Sequence, residues 1–163
     1  MTQPQNIIHP IPPLYDENSR ILILGSFPSV KSREAMFFYG HPQNRFWRLL
    51  ALLFDEDIPS TVDEKRTLVL RHNIAMWDVI HSCTVTGSSD SSIRDVVPND
   101  LSMILDNSSV ERIYCNGALS YKMYMKYIYP STGIKAYKLP STSPANAAYS
   151  MDRLAKEWRR ITE

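Results

Sequence analysis

A chain of 163 residues with 44% hydrophobic content can bury one sizeable core and is too short for two ordinary domains, so a single domain over 1–163 is expected. No apolar run approaches the roughly 20 residues of a membrane span, and the N-terminus lacks a basic segment followed by an apolar stretch. The two cysteines, Cys83 and Cys115, have no CxxC spacing, which excludes a disulfide framework, a four-cysteine zinc site and an iron–sulfur cluster. A soluble, intracellular protein with reduced thiols is expected. The net charge of +1 excludes nothing, but its distribution is uneven: residues 50–111 hold eleven acids against four bases, and residues 117–160 hold eight bases against two acids. A positive face suited to a polyanion follows if the fold keeps these segments apart; segregation among solvated helices would give the same counts.

In chain order, the first 18 residues contain four prolines and read as an extended arm with no identifiable sequence requirement. RILILG (20–25) is a short apolar run ending in glycine, as a buried parallel strand feeding a loop would be. Helical periodicity follows at 44–54, through Phe46, Leu49, Leu50 and Leu53, and again at 63–72. IAMWDVI (74–80) is a second strand, 99–106 a helix, VERIYC (110–115) a third strand, 117–128 a helix, and IKAYKL (134–139) a weaker fourth strand. The last helix, 146–161, carries one apolar stripe of Met151, Leu154, Trp158 and Ile161. Strands alternating with helices predict a parallel sheet covered on both faces, because right-handed crossovers place the helices there. Ligands bind beyond the carboxyl ends of such strands, which directs attention to 25–28, 81–90, Asn116 with Gly117, and 140–146.

Three strings occupy such places. GSFPS (25–29) follows the first strand, with Gly25 allowing close backbone approach and Pro28 fixing the turn. GHPQNRFW (40–47) sets a histidine and two side-chain amides directly before a helix. LPSTSPAN (139–146) follows the fourth strand, and its two prolines bracket the hydroxyls of Ser141, Thr142 and Ser143 beside the expected start of the last helix. Hydroxyls and free N–H groups at a helix N-terminus suit a phosphate; ordinary capping by Ser143 or Asn146 would account for one of these residues.

Together these strings resemble the uracil-DNA glycosylase superfamily, most closely its hypoxanthine-DNA glycosylase branch (family 6). HPQNRFW is also similar to the mismatch-specific uracil glycosylases, and WDVIHSC and GSSDSSI, between Trp77 and Ile93, are similar to the hypoxanthine branch. The resemblance spans residues 20 to about 160. It implies a three-layer α/β/α sandwich around a four-stranded parallel sheet, and a metal-free, cofactor-free enzyme acting on deaminated bases, hypoxanthine and also uracil, in double- or single-stranded DNA. It further implies a monomer, without membrane association, in the cytoplasm of a prokaryote or the nucleus of a eukaryote. Two positions depart from the wider superfamily. Phe27 stands where many relatives have a water-positioning Asp or Asn, and Leu139 stands where related branches have a His or Asn.

The resemblance therefore passes the polar work to Asn44, whose carbonyl oxygen would hold water against C1′. Its role is positioning, since an amide is a poor base. His41 would donate to the departing base, or else fix its own loop. A base in duplex DNA must be flipped into a pocket, where Phe27 offers a stacking ring worth about 1 to 3 kcal/mol. Ser26, Tyr39, Ser82 and Asn116 complete the expected base site, with core packing open for Tyr39 and a simple turn favoured for Asn116. Asp78, Ser82 and Cys83 lie at the end of the second strand, where superfamily members read the base edge, and all three rank low. DNA contacts are expected from Pro28, Ser29, Arg45, Pro140, Ser141, Thr142, Ser143, Pro144 and Asn146. No lysine lies in the matched strings to form a Schiff base, which implies a monofunctional enzyme. The alternatives are a mismatch-specific uracil or thymine glycosylase, and a non-catalytic nucleic-acid-binding relative, which Phe27 and Leu139 favour. Neither the HxE and PCxxC strings of a zinc deaminase nor a GxxxxGK loop is present.

Overall fold

The computed structural model describes residues 3–163. The chain runs β1 (Gln5–Ile8), β2 (Ile21–Gly25), α1 (Val30–Ala35), α2 (Phe46–Leu53), α3 (Val62–Arg71), β3 (Ile74–Asp78), β4 (Ile80–Val85), β5 (Arg94–Pro98), α4 (Ser102–Asp106), β6 (Arg112–Asn116), α5 (Ala118–Tyr127), α6 (Tyr129–Thr132), β7 (Ala136–Leu139) and α7 (Met151–Trp158). The strands β3-β2-β6-β7 form an all-parallel sheet in that order, as the strand–helix alternation predicts. Among the described residues no helix is long and apolar enough to cross a membrane.

Strand periodicity decides what each residue packs against, because successive side chains point to opposite faces. Ile21, Ile23, Ile74, Met76 and Tyr114 enter one core with α2, α3 and α7. Leu22, Leu24, Ala75, Ile113 and Cys115 enter a second core with α4 and α5. Both faces of β2 are thus covered, which is why its sequence is an unbroken apolar run. On α2, Phe46, Trp47, Leu49, Leu50 and Leu53 are buried, each contributing about 1.5 to 3 kcal/mol relative to exposure. Trp158 of α7 meets Phe46 edge to face at 5.9 Å and donates its indole N–H to the Pro140 carbonyl at 2.8 Å, tying the last helix to the loop after β7.

A second, antiparallel sheet of order β1-β4-β5 adds to the expected architecture. The stretch 74–80 is not one strand: the parallel strand stops at Asp78, and after Val79 the chain enters β4 in the other sheet. The N-terminal arm is not a free extension either. Gln5–Ile8 pairs with β4 from Ile8↔Ser82 to Gln5↔Val85, and Leu14 exchanges main-chain hydrogen bonds with Met76. The helix expected over 146–161 begins only at Met151, capped by the Ser150 hydroxyl. Residues 140–149 are non-helical, and the Arg45 guanidinium donates to three of their carbonyls, those of Ser143, Asn146 and Tyr149.

Candidate active site

The sheet order reverses direction between β2 and β6, and open α/β sheets bind ligands at such a switch point. A cavity of about 550 Å³ lies there, lined by Gly25, Phe27, Tyr39, Asn44, Asp78 and Asn116 among others. This volume falls within the roughly 300 to 1,000 Å³ of small-ligand pockets. Each of the three strings singled out in the sequence contributes to its wall.

On one side runs a chain of hydrogen bonds between neutral groups. Asn116, at the end of β6, donates from Nδ2 to the Thr142 hydroxyl at 3.0 Å and accepts the Thr142 N–H on Oδ1 at 3.0 Å. The Thr142 hydroxyl then donates to Asn44 Oδ1 at 2.8 Å. That oxygen also accepts the Phe46 N–H at 2.9 Å. A main-chain N–H only donates, so the orientation of the Asn44 amide is fixed. Both lone pairs of its oxygen are engaged, and its Nδ2 has no protein acceptor among the described residues. Asn44 therefore offers the cavity a donor, whereas the sequence expectation has its oxygen holding water.

His41 also lines the cavity. Its Nδ1 accepts the Gln43 N–H at 3.1 Å, so the ring serves as the loop clasp that was one of its two expected roles, and the proton of the neutral ring sits on Nε2, free to donate.

The opposite side is charged. Asp78, at the end of β3, accepts from His9 Nε2 at 2.7 Å, and their side chains are 7% and 1% exposed. His9 Nδ1 accepts the Ile11 N–H at 3.3 Å, which leaves the ring proton on Nε2, facing the carboxylate. Gly25 makes room for this group. A Cβ at that position would stand 2.4 Å from Asp78 Oδ1 and 3.2 Å from the Tyr39 hydroxyl. The Tyr39 ring stacks on Phe46 at 4.3 Å, and its buried hydroxyl has no hydrogen-bond partner among the described residues. Burial and, second, the nearby Asp78 charge hold the phenol protonated well above its usual range. The Phe27 ring forms part of the wall, edge-on to His9 at 5.9 Å, with the Arg33 guanidinium 5.7 Å from its centre.

Other expected site residues are placed differently. Ser82 lies within β4, paired with Ile8 and Val97, and is not among the lining residues. Arg45 does not present a free cation: its guanidinium donates to the carbonyls of Ser143 and Asn146, both at 3.0 Å, and of Tyr149. Thr142 is fully buried with its hydroxyl spent on the two asparagines, so it is unavailable to a phosphate. The Ser29 hydroxyl caps α1 by accepting the Ser32 N–H, and the Asn146 side-chain amide donates to the Ser141 carbonyl. With α7 starting at Met151, its N-terminus does not back the hydroxyl run; the start of α5 lies beside it instead, a Cβ at Gly117 standing 3.2 Å from the Ser141 Cβ. Ser26, Pro28, Ser141, Ser143 and Pro144 do line the cavity, and Pro140 lines the shallower groove beside it. His9 had no signal in the sequence, since nothing in a proline-rich arm predicts its contact with a residue 69 positions away. Among the described residues no three His, Cys, Asp or Glu side chains converge as a metal site.

Fold and site together define a base-excision type of α/β domain: the model of the uracil DNA glycosylase superfamily matches residues 12–162, and the chain belongs to that superfamily. Among curated relatives, the hypoxanthine DNA glycosylase of Methanosarcina acetivorans is 37% identical over 154 residues, covering 92% of this chain and 94% of the relative. That of Methanosarcina barkeri is 36% identical over 137 residues, covering 83% of this chain and 85% of its own length. A solution NMR structure from M. acetivorans, described as a candidate uracil DNA glycosylase, superposes with a TM-score of 0.78 at 31% identity, covering 96% of this chain and all of the other.

Proposed function

We propose that this chain is a monofunctional DNA glycosylase that hydrolyses the N-glycosidic bond of deoxyinosine, releasing hypoxanthine and leaving an abasic site. The carrying observation is the polarised chain Asn116–Thr142–Asn44, which aims a fixed donor into a cavity at the sheet's switch point in a chain 37% identical to a hypoxanthine DNA glycosylase. The extruded nucleotide stacks on Phe27 while its phosphodiester backbone stays at the rim, near Ser141, Ser143 and Pro144. Breaking the bond moves negative charge onto the purine as the sugar becomes oxocarbenium-like, the same separation that glycoside hydrolysis faces. Asn44 Nδ2 and His41 Nε2 meet that charge from positions that need no rearrangement, and one such pre-aimed donor is worth about 3 kcal/mol. No lysine lines the cavity, so water rather than an amine takes C1′.

The test is single-turnover reaction with duplexes carrying one deoxyinosine, deoxyuridine or deoxyadenosine, read as strand cleavage after alkali. Deoxyinosine is expected to react and deoxyadenosine not to. Reaction at deoxyuridine alone would instead support the uracil-specific reading, and binding without cleavage of any duplex the non-catalytic one.

A further inference from the structure

The buried His9–Asp78 pair is not used by the chemistry above, yet Asp78 lines the same cavity. Its polarity is set from outside. The Ile11 N–H occupies His9 Nδ1, so Nε2 must donate to Asp78 Oδ2 at 2.7 Å. The other carboxylate oxygen, Oδ1, stands over Gly25 near the Tyr39 hydroxyl, with no donor among the described residues. A nucleotide entering this cavity remains tethered outside by its phosphodiester, so the base edge farthest from the sugar reaches deepest. In a purine that edge is N1 and the substituent at C6.

We propose that His9 and Asp78 form a polarity-fixed acceptor that selects bases with a lactam edge over those with an amidine edge, Asp78 Oδ1 accepting the ring N–H and His9 acting as its positioning residue. Hypoxanthine presents N1–H beside a carbonyl oxygen, which suits the Asp78 acceptor and the Tyr39 donor. Adenine, from which hypoxanthine is formed by deamination, presents a bare N1 beside an amino group and meets the carboxylate lone pair to lone pair. The glycosidic tether prevents adenine from turning over to exchange the two positions. A site built to pair with a substrate N–H rejects an analogue lacking it far more strongly than a shape difference allows. The pair also assigns a function to the N-terminal arm, since β1 and the bridge at Leu14 hold the turn that carries His9.

This inference rests on the purine-excising reading of the site, and the experiment separates the two. Asp78→Asn keeps the shape. His9 still donates, which draws the new amide oxygen toward it and turns the NH₂ group to the cavity, converting acceptor to donor. The ratio of single-turnover rates for deoxyinosine over deoxyadenosine is expected to fall by about 100-fold or more, at unchanged melting temperature. His9→Leu should weaken deoxyinosine capture about tenfold, in the half-saturating enzyme concentration rather than the maximal rate, and His9→Gln, which keeps an N–H donor, should recover most of it. An unchanged ratio in Asp78→Asn, or equal effects of Leu and Gln at position 9, overturns the proposal.

Titration of the unaltered protein with the free nucleosides deoxyinosine and deoxyadenosine, whose sugar keeps the base from turning over, needs no folded variant. Preference for deoxyinosine supports the acceptor, and equal affinity overturns it. Preference for the deoxyinosine nucleoside without cleavage of the deoxyinosine duplex would refute the enzymatic reading while leaving the acceptor intact.

Discussion

Asn44 on one wall of the cavity and Asp78 on the other are fixed by the same device and end with opposite polarity. Each is the last member of a short chain that starts at a main-chain N–H: Phe46 N–H fixes the Asn44 amide directly, and Ile11 N–H fixes Asp78 through the His9 ring. Because a main-chain N–H can only donate, neither side chain can reverse. One wall is left with a donor facing inward and the other with an acceptor. The neutral wall also connects two loops of the parallel sheet through Thr142, whereas the charged wall connects the parallel sheet to the antiparallel one. A cavity that must strip a base of water benefits from groups held in place beforehand, since they need no reorganisation when charge develops.

The comparison breaks most severely if both walls lose their shared floor. Gly25→Ala would place a methyl group against Asp78 Oδ1 and the Tyr39 hydroxyl, at 2.4 and 3.2 Å before relaxation. Displacing catalytic-site groups by an ångström costs on the order of 100-fold, so deoxyinosine cleavage by this variant should fall by about that factor or more. Single-turnover rates check it, and a near-normal rate would mean that the carboxylate has no fixed place in the reaction.

Removing the middle of the neutral wall is the next largest effect. Thr142→Val deletes the hydroxyl that links Asn116 to Asn44 but leaves the Phe46 N–H in place, so the amide loses one of two anchors. A loss of about 1 kcal/mol of positioning, roughly five- to tenfold in rate, is expected with little change in hypoxanthine-over-adenine preference. A changed preference would show that the two walls are not independent.

Arg45→Gln distinguishes holding a loop from holding a phosphate. The guanidinium's hydrogen bonds to the 143–149 carbonyls predict a loss of about 2 to 3 kcal/mol of stability, measured by denaturant titration. The slope of log K for duplex DNA against log salt should stay the same, where a lost phosphate contact would reduce it by about 0.9.

The sequence singles out the residues of the neutral wall but only Asp78 of the charged one, and the difference has a physical reason. Asn44, His41 and Thr142 sit in loops, and Asn116 at a strand end, directly before or after strongly patterned elements, and β2, with its apolar run, announces where its loop must be. The antiparallel sheet has no such pattern. QNII in β1 is an exposed edge strand, and β4 is interrupted by register shifts against β5 near Ser82, which scrambles the alternation that would reveal it. In sequence, His9 is therefore only part of an extended, proline-rich arm. Arg45 and Thr142 bond within the protein, and sequence does not show this, because a guanidinium or hydroxyl in a loop looks the same whether it faces phosphate or the protein's own polar groups. Nor does the sequence show which atom of the Asn44 amide points inward; that depends on one hydrogen bond from Phe46.

That orientation can be tested by a single substitution. Asn44→Asp keeps an oxygen to accept from Phe46 N–H and the Thr142 hydroxyl, so the local fold is preserved, but it replaces the inward-facing NH₂ with a second acceptor. Single-turnover cleavage of a deoxyinosine duplex at saturating enzyme, above the ordinary carboxylate range of pH, should fall by about 100-fold or more with the melting temperature retained. A rate equal to or greater than that of the unaltered protein would contradict the account, since it would mean that Asn44 serves as a water-holding acceptor, a task that a carboxylate performs better than an amide.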